Sequence, residues 1–166
     1  RGLRHKVERV IAQCGQLPSS HDSKAVAHVI ETLPRDELFQ ASVADLARMV
    51  RGIVNLYERA QVRLFVRRDV FGRFQSCLIY VPRDRYDSGV RKAIGDYLAD
   101  VYKGRVSAFY PFFPEGPLVR VHFIIGRSEG ETPNPDRASL ERAVEAIVRT
   151  WTDALGDELA LARDGA

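Results

Sequence analysis

The stretch Gln61-Val-Arg-Leu-Phe-Val-Arg-Arg-Asp-Val-Phe-Gly-Arg-Phe-Gln-Ser-Cys-Leu-Ile-Tyr-Val-Pro-Arg-Asp-Arg-Tyr86 decides the fold. Val62, Leu64 and Val66 alternate with Arg63, Phe65 and Arg67. Successive strand side chains project to opposite faces, so one face of this segment is built for a core. Asp69-Val70-Phe71-Gly72 supplies a reversal, because Asp bonds its own backbone readily and Gly72 is free to take positive φ. A hairpin with strands at about 61–69 and 72–82 follows.

Working outward, Asp87 or Ser88 caps a helix that carries Val90, Ile94, Leu98 and Val101 on one face. Strands are predicted at about 104–113 and 117–127, where Val119, Val121, Phe123 and Ile125 alternate with Arg120 and His122 across the turn Pro114-Glu-Gly-Pro117. The polar segment 128–135 is a loop. Asp136 can cap a long last helix through Leu140, Val144, Ile147, Val148, Trp151, Leu155 and Leu159, with a tail expected to fray beyond about 160. The order from residue 60 is β-β-α-β-β-α, a cyclic rearrangement of the β-α-β-β-α-β of ferredoxin-like folds. The expected architecture is therefore α+β, a four-stranded antiparallel sheet with helices on one face.

Residues 1–59 are expected to form a preceding helical segment, a linker or the end of another module, and 60–166 the α+β domain. Helices fit 3–14, with a fraying start, then 22–33 through Ala25, Val26, Val29, Ile30 and Leu33, and 43–58 through Leu46, Val50, Ile53, Val54 and Tyr57. Gly15 to Ser20 joins the first two, Pro34 stops the second, and Ser42 with Asp45 marks the start of the third.

A chain of 166 residues with 45% hydrophobic and 28% charged content can bury a real core. No apolar run approaches the roughly 18 residues of a spanning helix, and the first fifteen residues lack the apolar segment of a secretory signal, so the expected location is the cytoplasm. Cys14 and Cys77 have no His or Cys at ligand spacing and read as reduced, buried thiols. The net charge of +3 is only a weak pointer to polyanions.

Little in the chain points to catalysis. Gly72, Gly89 and Gly95 lack phosphate-loop spacing, and His5, His21, His28 and His122 form no metal-binding pair. Ser76, His122 and Asp69 make a triad only on paper, since no nucleophile elbow surrounds any Ser. The cluster Arg63, Arg67, Arg68, Arg73, Arg83 and Arg85 suits carboxylates or phosphates; the plainer alternative is a solvated strand face interleaved with Asp69, Asp84 and Asp87. Phe65, Phe71, Phe74 and Tyr80 lack the glycine-and-aromatic pattern of RNA-binding sheets and are expected to stack on core. The run Phe109-Tyr-Pro-Phe-Phe113 is core or interface.

Ser20-His-Asp-Ser-Lys-Ala25 through Leu33-Pro-Arg-Asp-Glu-Leu-Phe-Gln40, and Arg63-Leu-Phe-Val-Arg-Arg-Asp-Val-Phe-Gly-Arg-Phe74 through Tyr80-Val-Pro-Arg-Asp-Arg-Tyr86, resemble the bacterial large-subunit class of NAD-specific glutamate dehydrogenases. The similarity runs over about 17–125 and more weakly to Trp151. It implies a fragment of the long N-terminal regulatory region, built of ACT-like modules, of an enzyme that deaminates L-glutamate to 2-oxoglutarate with NAD. It places no catalytic, NAD-binding or metal residue on this chain, and its usual β-α-β-β-α-β order departs from the one read here. The partners it implies are other modules of the same chain, further copies in a homo-oligomer and a small amino-acid effector. The expected surface is Phe109, Tyr110, Phe112, Phe113 and Arg120, with Arg63 and Arg67 of the Arg cluster. The alternative from another class is an Arg-rich polyanion or nucleic-acid-binding domain.

Overall fold

The computed structural model describes residues 2–14, 20–128 and 130–164, and the chain divides into two compact units, Arg1–Arg59 and Ala60–Ala166. The connection at 15–19 and the side chains of His21, Leu155 and Leu159, named in the sequence reading, lie outside the described residues.

The first unit contains α1 (Gly2–Gln13), α2 (Ser20–Thr32), α3 (Arg35–Gln40) and α4 (Val43–Glu58), with α4 packed against α1 and α2. The Ser42 hydroxyl accepts from the Asp45 amide at 3.1 Å and satisfies one of the orphan donors at the start of α4. Leu46, Val50, Ile53 and Leu56 are buried, the stripe that 3.6-residue spacing puts on one side of a helix. Val29, Ile30 and Leu33 are buried too, and the Cys14 thiol donates to the Ala47 carbonyl at 3.8 Å. Helix α3 was not expected. Pro34 does end α2, but with its φ at −56° it then serves as the N-cap of a new short helix whose first turn carries Asp36 and Glu37.

The second unit runs β1 (Arg63–Arg68), β2 (Phe74–Pro82), a single 3₁₀ turn at Arg83–Arg85, α5 (Ser88–Val101), β3 (Arg105–Phe112), β4 (Leu118–Gly126) and α6 (Arg137–Asp164). The four strands form one antiparallel sheet in the order β1-β2-β4-β3. Moving β1 to the end of the chain turns this into the strand order of a ferredoxin-like sheet, so the fold is a cyclic permutation of that arrangement. The register sets Leu64 opposite Ile79 and Ile79 opposite Val121, and the same face carries Cys77, Val81, Phe123 and Ile125. Against it pack Val90, Ile94, Leu98 and Tyr102 from α5 and its C-cap, and Leu140, Val144 and Val148 from α6. Fully burying an aliphatic side chain of this size is worth about 1.5–3 kcal/mol, so this one-sided cluster dominates the stability of the unit.

The hairpin turns as its residues require. Gly72 takes φ 68°, its amide donates to the Asp69 carbonyl at 2.9 Å, and the Asp69 amide donates to the Phe74 carbonyl at 3.0 Å. The buried Asp69 carboxylate accepts from both the amide and Nε of Arg73 at 3.1 Å. Burial works against its charge, but these Arg73 contacts and the Phe71 amide outweigh it and hold the carboxyl below its ordinary range.

Two expectations fail. Phe71 does not stack on core: it is 77% exposed beyond the last ladder pair, with the Arg73 guanidinium 5.0 Å above its ring. Nor is the second sheet face a solvated Arg surface, because Phe65, Ser76, Leu78, Tyr80, Arg120 and His122 are all buried. Phe65 and Tyr80 meet edge to face at 6.2 Å, a diagonal cross-strand pair of the kind aromatic side chains favour. The last helix is described as far as Asp164.

At the start of α5, Asp87 holds two elements. One carboxylate oxygen accepts from the Val90 amide at 2.8 Å, and the other accepts from the Trp151 indole of α6 at 3.2 Å. Trp151 lies where Gly89 has no side chain: a Cβ there would stand 2.1 Å from Trp151 Cζ2. Gly89→Ala is therefore expected to expel the indole, break its bond to Asp87 and lower stability by about 1–2 kcal/mol, read as a lower melting temperature with altered Trp fluorescence. Burial raises the Tyr102 hydroxyl to about 12, with Cys77 adding to the shift and the Gln75 side chain opposing it. An unfolded tyrosine ionises near about 10, so above that pH the unfolded state binds fewer protons than the folded one. The stability due to this group is thus complete below about pH 10 and declines as pH rises towards 12. Urea unfolding at a neutral and a strongly alkaline pH should show that decline, and Tyr102→Phe should flatten it.

Candidate functional site

The two edges of the sheet are treated differently. On β1, the outward Leu64 amide donates to Glu141 Oε1 at 3.4 Å, and Arg63 and Arg137 lie 3.6 and 3.9 Å from the same carboxylate. Helix α6 thereby covers that edge. On β3, no hydrogen bond to the outer side of the strand occurs among the described residues, and all eight of its residues are exposed or half-buried. A free edge of eight residues is a template for pairing with another strand. A bulge between Val106 and Ala108 interrupts the β3 ladder, as bulges often do next to sites.

The aromatic run lies on this strand and splits between its two faces. Phe109 faces α5, where the Arg91 guanidinium stacks 4.1 Å from its ring centroid. Tyr110 and Phe112 face the other way, Tyr110 beside the His122 ring at 6.1 Å and Phe112 under the Arg120 guanidinium at 4.5 Å. Phe113 leaves the strand and meets Tyr86 edge-on at 5.6 Å. Phe109, Tyr110 and Phe113 keep 41%, 59% and 56% exposure. Arg120 is thus beside Phe112, whereas Arg63 and Arg67 sit on β1, two strands away at the opposite edge. Of the wider Arg cluster, Arg63 pairs with Glu141 and Arg73 with Asp69, and Arg83 is spent on a turn.

Between α5 and β3 lies a groove of about 570 Å³. Val106 and Phe123 line it, and Gly95 brings α5 close, since a Cβ there would stand 3.1 Å from Phe123. Arg91, Lys92 and Asp96 give it a charged rim, in which Lys92 and Asp96 pair at 3.0 Å. The sequence reading named neither Arg91 nor this groove. Its one signal is a glycine, Gly95, buried in the middle of an apolar helical stripe.

Ser76 and His122 do come together, Oγ to Nε2 at 2.7 Å in the buried second face. They form no triad with Asp69, whose carboxylate is taken by Arg73 at the hairpin turn. Both cysteines are buried and neither forms a disulfide, and among the described residues no helix is long and apolar enough to cross a membrane.

A four-stranded antiparallel sheet backed by two helices, closed at one edge and open beside a groove at the other, defines a permuted ferredoxin-like α+β module. Comparison with known proteins places it further. Residues 63–152, more than half of the chain, match the model of the glutamate dehydrogenase ACT2 domain, and residues 2–59 match glutamate dehydrogenase helical motif 1. The chain is 36% identical over 154 residues to the NAD-specific glutamate dehydrogenase of Halomonas elongata, covering 92% of this chain and 10% of that one. It is 38% identical over 151 residues to that of Pseudomonas aeruginosa, with 91% and 9% covered, and 32% identical over 165 residues to that of Mycobacterium tuberculosis, with 92% and 10% covered. The chain belongs to the glutamate dehydrogenase family and carries its ACT2 domain. It spans about a tenth of the length of these curated relatives.

Arg83 secures the turn that ends β3. Its amide donates to the Pro117 carbonyl at 2.8 Å, Nε donates to the Gly116 carbonyl at 2.9 Å, and the guanidinium also donates to the Pro114 carbonyl. Arg83→Ala keeps only the first bond and is expected to cost about 1–2 kcal/mol. Hydrogen exchange should quicken at 113–117 and stay unchanged along the β2–β4 ladder.

Proposed function

We propose that the 60–166 unit is a non-catalytic regulatory and oligomerisation module of a large NAD-dependent glutamate dehydrogenase, whose full chain converts L-glutamate to 2-oxoglutarate and ammonia in the cytoplasm. The observation that carries this reading is the β3 edge, unbonded on its outer side among the described residues and bearing exposed aromatic side chains. Exposed apolar surface next to an open strand edge is what a docking surface needs. Residues 1–59 would then belong to the helical part that precedes the module. Docking would bring it against other modules of the same chain or a second copy, and a small amino-acid effector at that surface would shift the enzyme's state by its differential affinity for the alternatives. NAD and glutamate would be handled elsewhere in the full chain. The polyanion reading is weaker, because Arg63 and Arg73 are committed to carboxylates and Arg83 to carbonyls within the unit.

Sedimentation of the 166-residue chain over a range of concentrations tests the docking half. Association is expected, and Tyr110→Asp at the exposed edge should shift the equilibrium towards monomer. A chain that stays monomeric, with no binding to the remainder of the full enzyme, would remove docking. Retention on an anionic resin that falls steeply with salt and is lost with Arg67 and Arg68 replaced would instead favour polyanions.

A further inference from the structure

We infer that the groove between α5 and β3 binds a small organic monocarboxylate with an apolar body, its carboxylate held by Arg91. This rests on the effector half of the reading above, a small ligand at this surface, and puts a monocarboxylate in place of the amino acid. The lining at Val106, Phe123 and Gly95 is apolar and lacks the side chain that would fill it from α5. The Arg91 guanidinium carbon lies 4.1 Å from the Phe109 ring centroid, and the guanidinium N–H groups have no acceptor among the described residues. A guanidinium edge is a planar fork of the right width for two carboxylate oxygens. Among the described residues Arg91 forms no ion pair, whereas the other two charged groups at the rim, Lys92 and Asp96, neutralise each other at 3.0 Å. The groove therefore presents one uncompensated positive charge beside apolar surface. Its complement is a single negative charge on an apolar body.

The same arithmetic sets a preference. The one anionic group at the rim that the ammonium of an α-amino acid could meet is Asp96, which already has Lys92 as its partner. The deaminated counterpart of an apolar amino acid fits better, because it brings the carboxylate and the apolar body without a second charge to desolvate.

The test titrates the 166-residue chain with 3-phenylpropanoate and 4-methylpentanoate, against phenylalanine and leucine as zwitterions and 3-phenylpropanamide as the neutral isostere. Binding is followed by calorimetry and by amide chemical shifts. The carboxylates are expected to bind more tightly than either comparator, with shifts concentrated at 91–96 and 105–109. Arg91→Gln should weaken binding roughly tenfold or more, the worth of a charge-assisted hydrogen bond. Phe109→Leu should weaken it less, and Arg142→Gln on α6 should leave it unchanged, with melting temperatures confirming that all three fold. Amino acids binding as tightly as their deaminated counterparts, or Arg91→Gln binding as wild type does, overturns the assignment. Absence of binding in a chain that still associates also overturns it and leaves docking standing. Carboxylate binding by a chain that never associates keeps the groove and removes docking.

Discussion

The pairing of β2 with β4 is the constraint on which the second unit depends. These two central strands run opposite each other from Phe74 with Gly126 to Pro82 with Leu118. Side chains alternate with period two, so a slip of one residue would carry Cys77, Ile79 and Val81 off the helix-covered face and put Ser76, Leu78 and Tyr80 in their place. The helices could not accept that exchange. Ile94 and Leu98 of α5 and Val144 and Val148 of α6 are spaced to meet aliphatic side chains, and Ser76 would bring a hydroxyl with no His122 imidazole beside it. Register, core and the polar pair on the far face are thus specified together.

Around that ladder, a few polar side chains with two partners each fix where the helices and turns attach. Asp87 caps α5 and holds Trp151 of α6; Glu141 of α6 holds the β1 edge; Arg83 ties the end of β2 to the turn before β4. Each such contact involves an ionised side chain and contributes at most about 1.5–3 kcal/mol net. Their weight lies in geometry. Burial of Ile94 or Val144 drives the helices on to the sheet without direction, and Asp87 and Glu141 choose the position along it.

What could be read from the chain follows from how local each signal is. Alternation at 62–67 and 119–125 is a property of neighbouring residues, and it located the strands to within about two positions at either end. The caps Ser42, Asp87 and Asp136 were legible because each bonds a backbone amide three residues on. Helix α3 was missed because Pro34 reads as a stop, although the same fixed φ also suits a start, and six residues carry too little periodicity to overrule it. Phe71 was misplaced because its aromatic character argues for burial, whereas its position in a four-residue turn decides against it. The stack of Arg91 on Phe109 joins α5 to β3 across the groove, and no pattern within either element announces it. The candidate docking residues were named from one aromatic run, but β-strand alternation divides that run between two faces, and the strand order puts Arg63 and Arg67 at the far edge.

The permutation explains why the two edges differ. In the unpermuted order the strand at the β1 position follows the last helix, so that helix must end in a loop returning to the sheet. Here that position is filled by β1, entered from residues 59–62, so α6 need not return to it. It continues for 28 residues, with Glu141 in its first turns at the β1 edge and Trp151 further along at the start of α5. The same helix therefore closes one edge and clamps the neighbouring helix. Edge strand β3 receives neither service: α5 crosses it on one face only, and the gap beside Gly95 is the groove. An open edge carries a risk of indiscriminate pairing. Two features of β3 restrain it, the bulge that breaks an even ladder after Val106 and Pro111, which has no N–H to offer. A partner strand would thereby be confined to a short stretch next to Phe109, beside the groove and not across it.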